Sequence, residues 1–385
     1  MQLAKRLHGV SESIFAVIGK KANKKGIINL SQGFPDFDGP DFLKKFAISA
    51  IQNGHNQYSP AQGLPALRES LVDLYQRKYG LNYALEECLI TTGATEAIYL
   101  AIHALVNPTD EVILFEPFYD SYLTCAKMCG ATIHSITLSS EDDFALDFDS
   151  FEKKLTSKTK LVAFNNPHNP SGKVFSASDV ERLVKLCIKN KTYLLSDEVY
   201  EYLRFDGLTH TPSALFDEAR EWVISTYSSG KTFGMTGWKL GWSFGPKPVI
   251  EAMRLVHESV SFCCNTPMQF ALAEAISSTE LDDYLEDFIR TYEAKRDYFC
   301  GGLRELGFEF FNPQGTYFML LSTSYYKGSD DFSVVQNLLE GGLASIPPSP
   351  FYLSSHEGKK MIRLCFAKTE ETLATSLKAL KLLKL

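Results

Sequence analysis

The segment KLVAFNNPHNPSGKVFSASDVERLVKLCIKNKTYLLSDE (160–198) decides the fold class. Its first five residues, KLVAF (160–164), form an apolar run of strand length. NNPHNPSGK (165–173) follows, rich in the Asn, Pro and Gly that interrupt regular structure. SASDVERLVKLCIKN (176–190) then sets apolar residues at helical spacing behind Ser178-x-x-Glu181, which has the form of a capping box. TYLLSDE (192–198) is a second apolar strand. A strand, a helix and another strand in this order predict a parallel sheet wrapped by helices.

The alternation extends in both directions. CLITT (88–92), VILF (112–115) and TIHSIT (132–137) read as strands upstream, with a helix over Thr95–Leu105, and WVISTYSS (222–229) reads as a strand downstream. After about residue 275 the texture changes. A charge-laced helical stretch (281–306), strand-like KMIRLCFA (360–367) and an amphipathic helix over 369–383 predict a smaller α+β region.

A chain of 385 residues with 45% hydrophobic and 22% charged residues can bury a sizeable core, so disorder is not a useful reading. Lys and Arg number 39 against 46 Asp and Glu, a net charge of −7 that argues against nucleic acid or an anionic membrane as partner. No apolar stretch approaches the ~20 residues of a membrane span. The start, MQLAKRLHGVSESIF, lacks the apolar core and small-residue cleavage site of a secretory signal, so a cytoplasmic protein is expected. Eight cysteines are scattered; neither Cys125/Cys129 nor Cys263–Cys264 has His partners at metal-site spacing, and no HExxH occurs. Free thiols and no metal are expected.

In open α/β sheets ligands collect at the carboxyl ends of the strands. The residues there are Gly93-Ala94-Thr95, Glu116-Pro117-Phe118-Tyr119, NNPHNPSGK, SDEVY (196–200) and SSGKTFGMTGWK (228–239). Lys231 and Lys239 lie close to one strand end, which suits one amine for imine chemistry and one for an anion.

This set resembles the pyridoxal-phosphate-dependent aminotransferases of fold type I, the aspartate aminotransferase superfamily. Within it the chain is most similar to the methionine, glutamine and kynurenine aminotransferase branch. The likeness runs from SQGFPDFDGP (31–40) through QYSPAQGLPALR (57–68) to RLCFAK (363–368). It implies a seven-stranded, mainly parallel sheet in a large domain (43–275), a small domain built from both chain ends (23–42 and 276–385), and an N-terminal arm (1–22).

The resemblance also implies roles. Lys231 would hold pyridoxal phosphate as a Schiff base and then move the substrate proton. Asp197 would pair with the ring nitrogen and keep the ring an electron sink. Asn169 and Tyr200 would bond the ring's phenolic oxygen, and Phe118 would stack on its face. Gly93, Ala94, Thr95, Ser228 and Lys239 would cradle the phosphate. Tyr58 would reach the phosphate of a neighbouring subunit, which implies a homodimer with shared sites. Arg363 would grip the α-carboxylate of the amino acid, with Asn169 and the backbone of Gly33 beside it. Phe15 and the partner's Phe262-Cys263 segment would line an apolar substrate pocket, suited to methionine, aromatic amino acids or kynurenine. His168 is expected to be structural.

The expected activity is transfer of an amino group from an L-amino acid to a 2-oxo acid in two half-reactions. Two rivals stay open: a β-lyase acting on cysteine S-conjugates with the same residues, and a catalytically silent regulatory domain. The second fits less well, since Lys231 and Asp197 are both present.

Overall fold

The structure, a computed structural model, describes residues 4–384; the first three positions of the expected N-terminal arm and the last position of the expected small domain lie outside the described residues. Eleven strands appear in chain order among them: β1 (Ile28–Asn29), β2 (Cys88–Thr91), β3 (Glu111–Glu116), β4 (Thr132–Thr137), β5 (Thr159–Asn165), β6 (Tyr193–Asp197), β7 (Val223–Ser228), β8 (Gly241–Phe244), β9 (Phe318–Ser322), β10 (Leu343–Ala344) and β11 (Met361–Cys365). Seven of them form one sheet in the order β2-β8-β7-β6-β5-β3-β4. Only β8 runs against the others, pairing antiparallel with both β2 and β7.

The sheet is buried on both faces, as its apolar runs require. Side chains alternate across it with period two. Ile113, Phe115, Val162, Phe164 and Leu194 enter one core, while Val112, Leu114, Leu161, Ala163 and Leu195 enter the other. The first core takes Val180, Leu183, Val184 and Cys187 of the helix Ala177–Lys189. The second takes Ile98, Ala101 and Ile102 of the helix Gly93–Leu105, with Val249, Ile250 and Met253 of the helix Lys247–Val260.

The capping box expected at Ser178 and Glu181 lies two residues earlier. Ser176 Oγ accepts the amide of Asp179 at 3.1 Å, and the Asp179 carboxylate accepts the amide of Ser176 at 3.3 Å. Both sites fit the S-x-x-acid pattern, but only Ser176 precedes the first helical turn.

Outside the main sheet, segments from both chain ends combine. β1 pairs in parallel with β10, and β9 pairs antiparallel with β11, which sets Arg363 opposite Leu320. The helix Glu370–Leu383 packs against β1 and β10, and the helix Glu280–Glu305 packs against that helix. Among the described residues, no helix is long and apolar enough to cross a membrane.

Candidate active site

β5, β6 and β7 run side by side and parallel, so their carboxyl ends arrive together. They deliver Asn165, Asp197 and Ser228, and the helical turn Ser229–Thr232 directly after β7 carries Lys231. β11 brings Arg363 from the opposite side. Between them lies a cavity of about 370 Å³. It is lined by Phe15, Gly33, Gly93, Ala94, Thr95, Asn169, Asp197, Tyr200, Ser228, Lys231, Lys239 and Arg363, twelve residues singled out from the sequence.

Two expected residues lie elsewhere. Phe118 does not face the cavity: it is 2% exposed, belongs to the second core, and donates its amide to the Phe351 carbonyl at 2.9 Å. Its neighbour Tyr119 lines the cavity instead, with its hydroxyl 3.4 Å from Thr95 Oγ1. Adjacent residues at a strand end face opposite ways, and here the phenol takes the polar side. Tyr58 is 82% exposed and packs edge-on against Phe262 at 5.4 Å, away from the cavity of its own chain. His168 is buried and bonded to Ser171 at 2.7 Å; burial pushes its imidazolium down to about 4, so the ring is neutral.

At one end, Gly93 has φ +77, and a Cβ there would lie 3.3 Å from Lys239 Nζ. A side chain would intrude into the concavity where the first-turn amides of the helix meet an ammonium. Those amides have no helical acceptors and suit an anion. Glu96 ties down this turn by accepting the Thr92 amide at 2.5 Å, with His257 Nδ1 at 3.1 Å and Ser261 Oγ closing the cluster. Glu96, His257 and Cys264 are the one group of metal-ligand type among the described residues, and these capping bonds account for Glu96 and His257.

At the other end, Asp197 is buried and accepts the Tyr122 hydroxyl at 2.5 Å. Burial pushes its carboxyl up to about 6, against the pull of that bond. Asn165 braces the strand ends by donating to the Asp197 carbonyl at 2.8 Å and accepting the Asn169 amide at 2.7 Å. Lys231 Nζ donates to Tyr317 Oη at 2.8 Å and to the Gly33 carbonyl at 3.2 Å. Burial lowers its ammonium to about 8.

Arg363 is 1% exposed. Its Nη1 donates to Asn169 Oδ1 at 3.0 Å and its Nη2 to the Ser31 carbonyl at 2.9 Å. Phe318, Phe15 and Phe351 surround the guanidinium, with ring centroids 4.1, 4.8 and 5.7 Å away. Burial lowers it to about 10. Tyr119, Tyr122, Asn165, Tyr317 and Phe318 escaped the sequence reading as site residues. For the tyrosines the available signal was chemical: a buried phenol needs a hydrogen-bond partner, and these stand beside polar strand ends.

The donor set fits a phosphorylated, planar cofactor with a reactive aldehyde. An anion cradle, a buried carboxyl and an amine of lowered basicity face one cavity, and a buried guanidinium waits across it. The whole chain is similar to known proteins in sequence and fold. Residues 25–380 match the family model described as aminotransferase class I and II. The chain is 38% identical over 380 residues to methionine aminotransferase of Escherichia coli, covering 98% of this chain and 97% of that protein. A solved structure reported with a methionine aminotransferase function in the same organism superposes with a TM-score of 0.93 at 37% identity, covering both chains fully. Kynurenine–oxoglutarate transaminase 3 of Homo sapiens is 36% identical over 399 residues, with 96% of this chain and 88% of that protein covered. The structure of N-succinyldiaminopimelate aminotransferase from Mycobacterium tuberculosis gives a TM-score of 0.95 at 36% identity, covering 99% and 100% of the two chains.

Proposed function

The chain belongs to the class I and II aminotransferase family and is an aminotransferase; on that premise we propose that its donor is an apolar L-amino acid, methionine or an aromatic one, and its acceptor a 2-oxo acid. One observation carries the donor class. Among the described residues, the cavity's cationic side chains are Lys231, Lys239 and Arg363, and each has a task, so this chain offers the cavity no further cation for a distal carboxylate. Phe15, Phe34, Ile98 and Phe318 line the cavity as apolar surface.

The family uses pyridoxal phosphate, which when bound supplies an electron-withdrawing ring that acidifies the Cα–H of an attached amino acid. Residues of this chain would do the rest. Gly93, Ala94, Thr95, Ser228 and Lys239 hold the phosphate. Asp197 would keep a proton at the ring nitrogen, and Asn169 and Tyr200 would bond the phenolic oxygen. Tyr119, which lines the cavity where Phe118 does not, would offer its ring to the cofactor. Arg363 orients the donor through its α-carboxylate, and Lys231 Nζ takes the proton from Cα.

The proposed assembly is a homodimer that shares its sites. The exposure of Tyr58 and its packing on the half-exposed Phe262 support this reading. Arm, large domain and small domain are proposed as 1–22, 43–275, and 23–42 with 276–385. All eight cysteines are free thiols, which suits a reducing, cytoplasmic setting.

The test is a panel of donors (methionine, phenylalanine, kynurenine, aspartate) against several 2-oxo acids. Methionine or an aromatic donor should exceed aspartate in kcat/KM, because each methylene in an apolar pocket is worth roughly 1 kcal/mol or more. Aspartate winning by about tenfold, or 1.4 kcal/mol, would overturn the donor assignment.

A further inference from the structure

We propose that Tyr317 is a positioning residue for the amine of Lys231, holding it in place whenever it is free. The inference rests on the reading of Lys231 as the proton carrier. Three atoms make a closed triangle: Lys231 Nζ lies 2.8 Å from Tyr317 Oη, Tyr317 Oη lies 2.8 Å from the Gly33 carbonyl, and Nζ lies 3.2 Å from the same carbonyl.

Donor counting fixes the directions. A carbonyl only accepts, and a phenol has one hydrogen to give. Tyr317 therefore donates to Gly33 and turns a lone pair toward Lys231. Burial holds the Tyr317 phenol well above its ordinary range, so it stays neutral and cannot act as an anionic partner.

The ring is locked in place. It is 1% exposed and packs against Tyr200 (5.5 Å), Phe318 (4.8 Å) and Tyr292 (6.0 Å). Its backbone carbonyl accepts the Phe366 amide at 3.0 Å. Gly33 can approach only because it lacks a side chain: a Cβ would lie 2.5 Å from Phe318 Cζ. The free amine is thus tied between the loop after β1 and the residue that precedes β9.

The hydrogen bond favours the ammonium over the amine, because the charged form is the stronger donor. Asp197, Arg363, Cys365, Lys239 and Tyr200 also face Nζ. Tyr317→Phe removes the acceptor and keeps the ring.

The experiment uses the full-length, cofactor-loaded protein with excess amino donor and no oxo acid, which leaves Lys231 free. The rate of acetylation of the Lys231 peptide by trace acetic anhydride, followed by mass spectrometry from pH 6 to 11, gives the amine's pKa. Tyr317→Phe should lower it by roughly one unit, the size expected for loss of one charge-assisted bond. A shift below about 0.3 unit, or a rise, overturns the proposal. Should Tyr317→Phe fail to fold, 3-fluorotyrosine placed at 317 keeps ring and hydroxyl but weakens the acceptor oxygen. It should move the value in the same direction by less, and an unchanged or raised value again overturns the role. Borohydride reduction of the loaded protein separates the two levels of inference. If another lysine carries the cofactor, the underlying reading fails; if Lys231 carries it and its titration ignores Tyr317, only this proposal fails.

Discussion

Replacing Arg363 by lysine keeps the charge and removes the fork. In the structure both terminal nitrogens are fixed, Nη1 by Asn169 and Nη2 by the Ser31 carbonyl, with Phe318 and Phe15 against the guanidinium. The plane is therefore pre-set to present two parallel N–H bonds to a carboxylate. A single ammonium cannot satisfy Asn169, Ser31 and both carboxylate oxygens at once. Losing one charge-assisted bond costs about 1.5–3 kcal/mol. At 1.36 kcal/mol per factor of ten, kcat/KM for methionine should fall about 10- to 150-fold in Arg363→Lys. The assay compares methionine with 3-(methylthio)propylamine, the same side chain without the carboxylate. Wild-type enzyme should discriminate strongly between them, and the variant should lose discrimination by the factor it loses on methionine. Near-normal kcat/KM for methionine, or an equal loss on both compounds, would refute a carboxylate role for Arg363.

Asp197→Asn should fold yet slow both half-reactions by roughly tenfold to several hundredfold, since a buried charge-assisted contact of about 1.5–3 kcal/mol or more is lost; single-turnover rates near wild type would exclude it as the ring-nitrogen partner. The same carboxyl predicts a pH effect on the cofactor-free protein. Its folded value, about 6, lies above the ordinary 3.8, so between these values the folded chain holds a proton that the unfolded chain has lost. This contribution to stability is full below pH 3.8 and disappears as pH rises through 6; urea melts across that window should show a decline that Asp197→Asn removes. Tyr58 predicts complementation: mixed dimers refolded from inactive Lys231→Ala and impaired Tyr58→Ala chains should contain one complete site, whereas verified heterodimers without activity would exclude sharing.

Much of this architecture can be read from sequence, because each signal was local. TIHSIT spans β4 from end to end, and the expected helix 281–306 differs from Glu280–Glu305 by one residue at each end. β8 was not legible as a strand: Gly241–Phe244 is four residues long, begins two residues after the SSGKTFGMTGWK stretch, and is the one antiparallel member of the sheet. Gly93-Ala94-Thr95 and Lys231 were legible as residues at strand ends, and the roles proposed for them came from the family resemblance. The choice between Phe118 and Tyr119 was not legible, since it depends on how the chain turns after β3. Tyr317 and Phe318, the latter against Arg363, were hidden for a different reason. They gain their meaning from contacts across 86 residues to Lys231 and 45 residues to Phe318, which no local pattern records.

Lys231 is proposed as the amine through which cofactor and substrate are handled. Purified protein loaded with pyridoxal phosphate should be yellow, and borohydride should bleach it while fixing the cofactor covalently. Peptide mapping should then find the label on Lys231 alone, with none fixed in Lys231→Ala. A label on Lys239 or any other lysine, with Lys231 unmodified, would contradict the assignment.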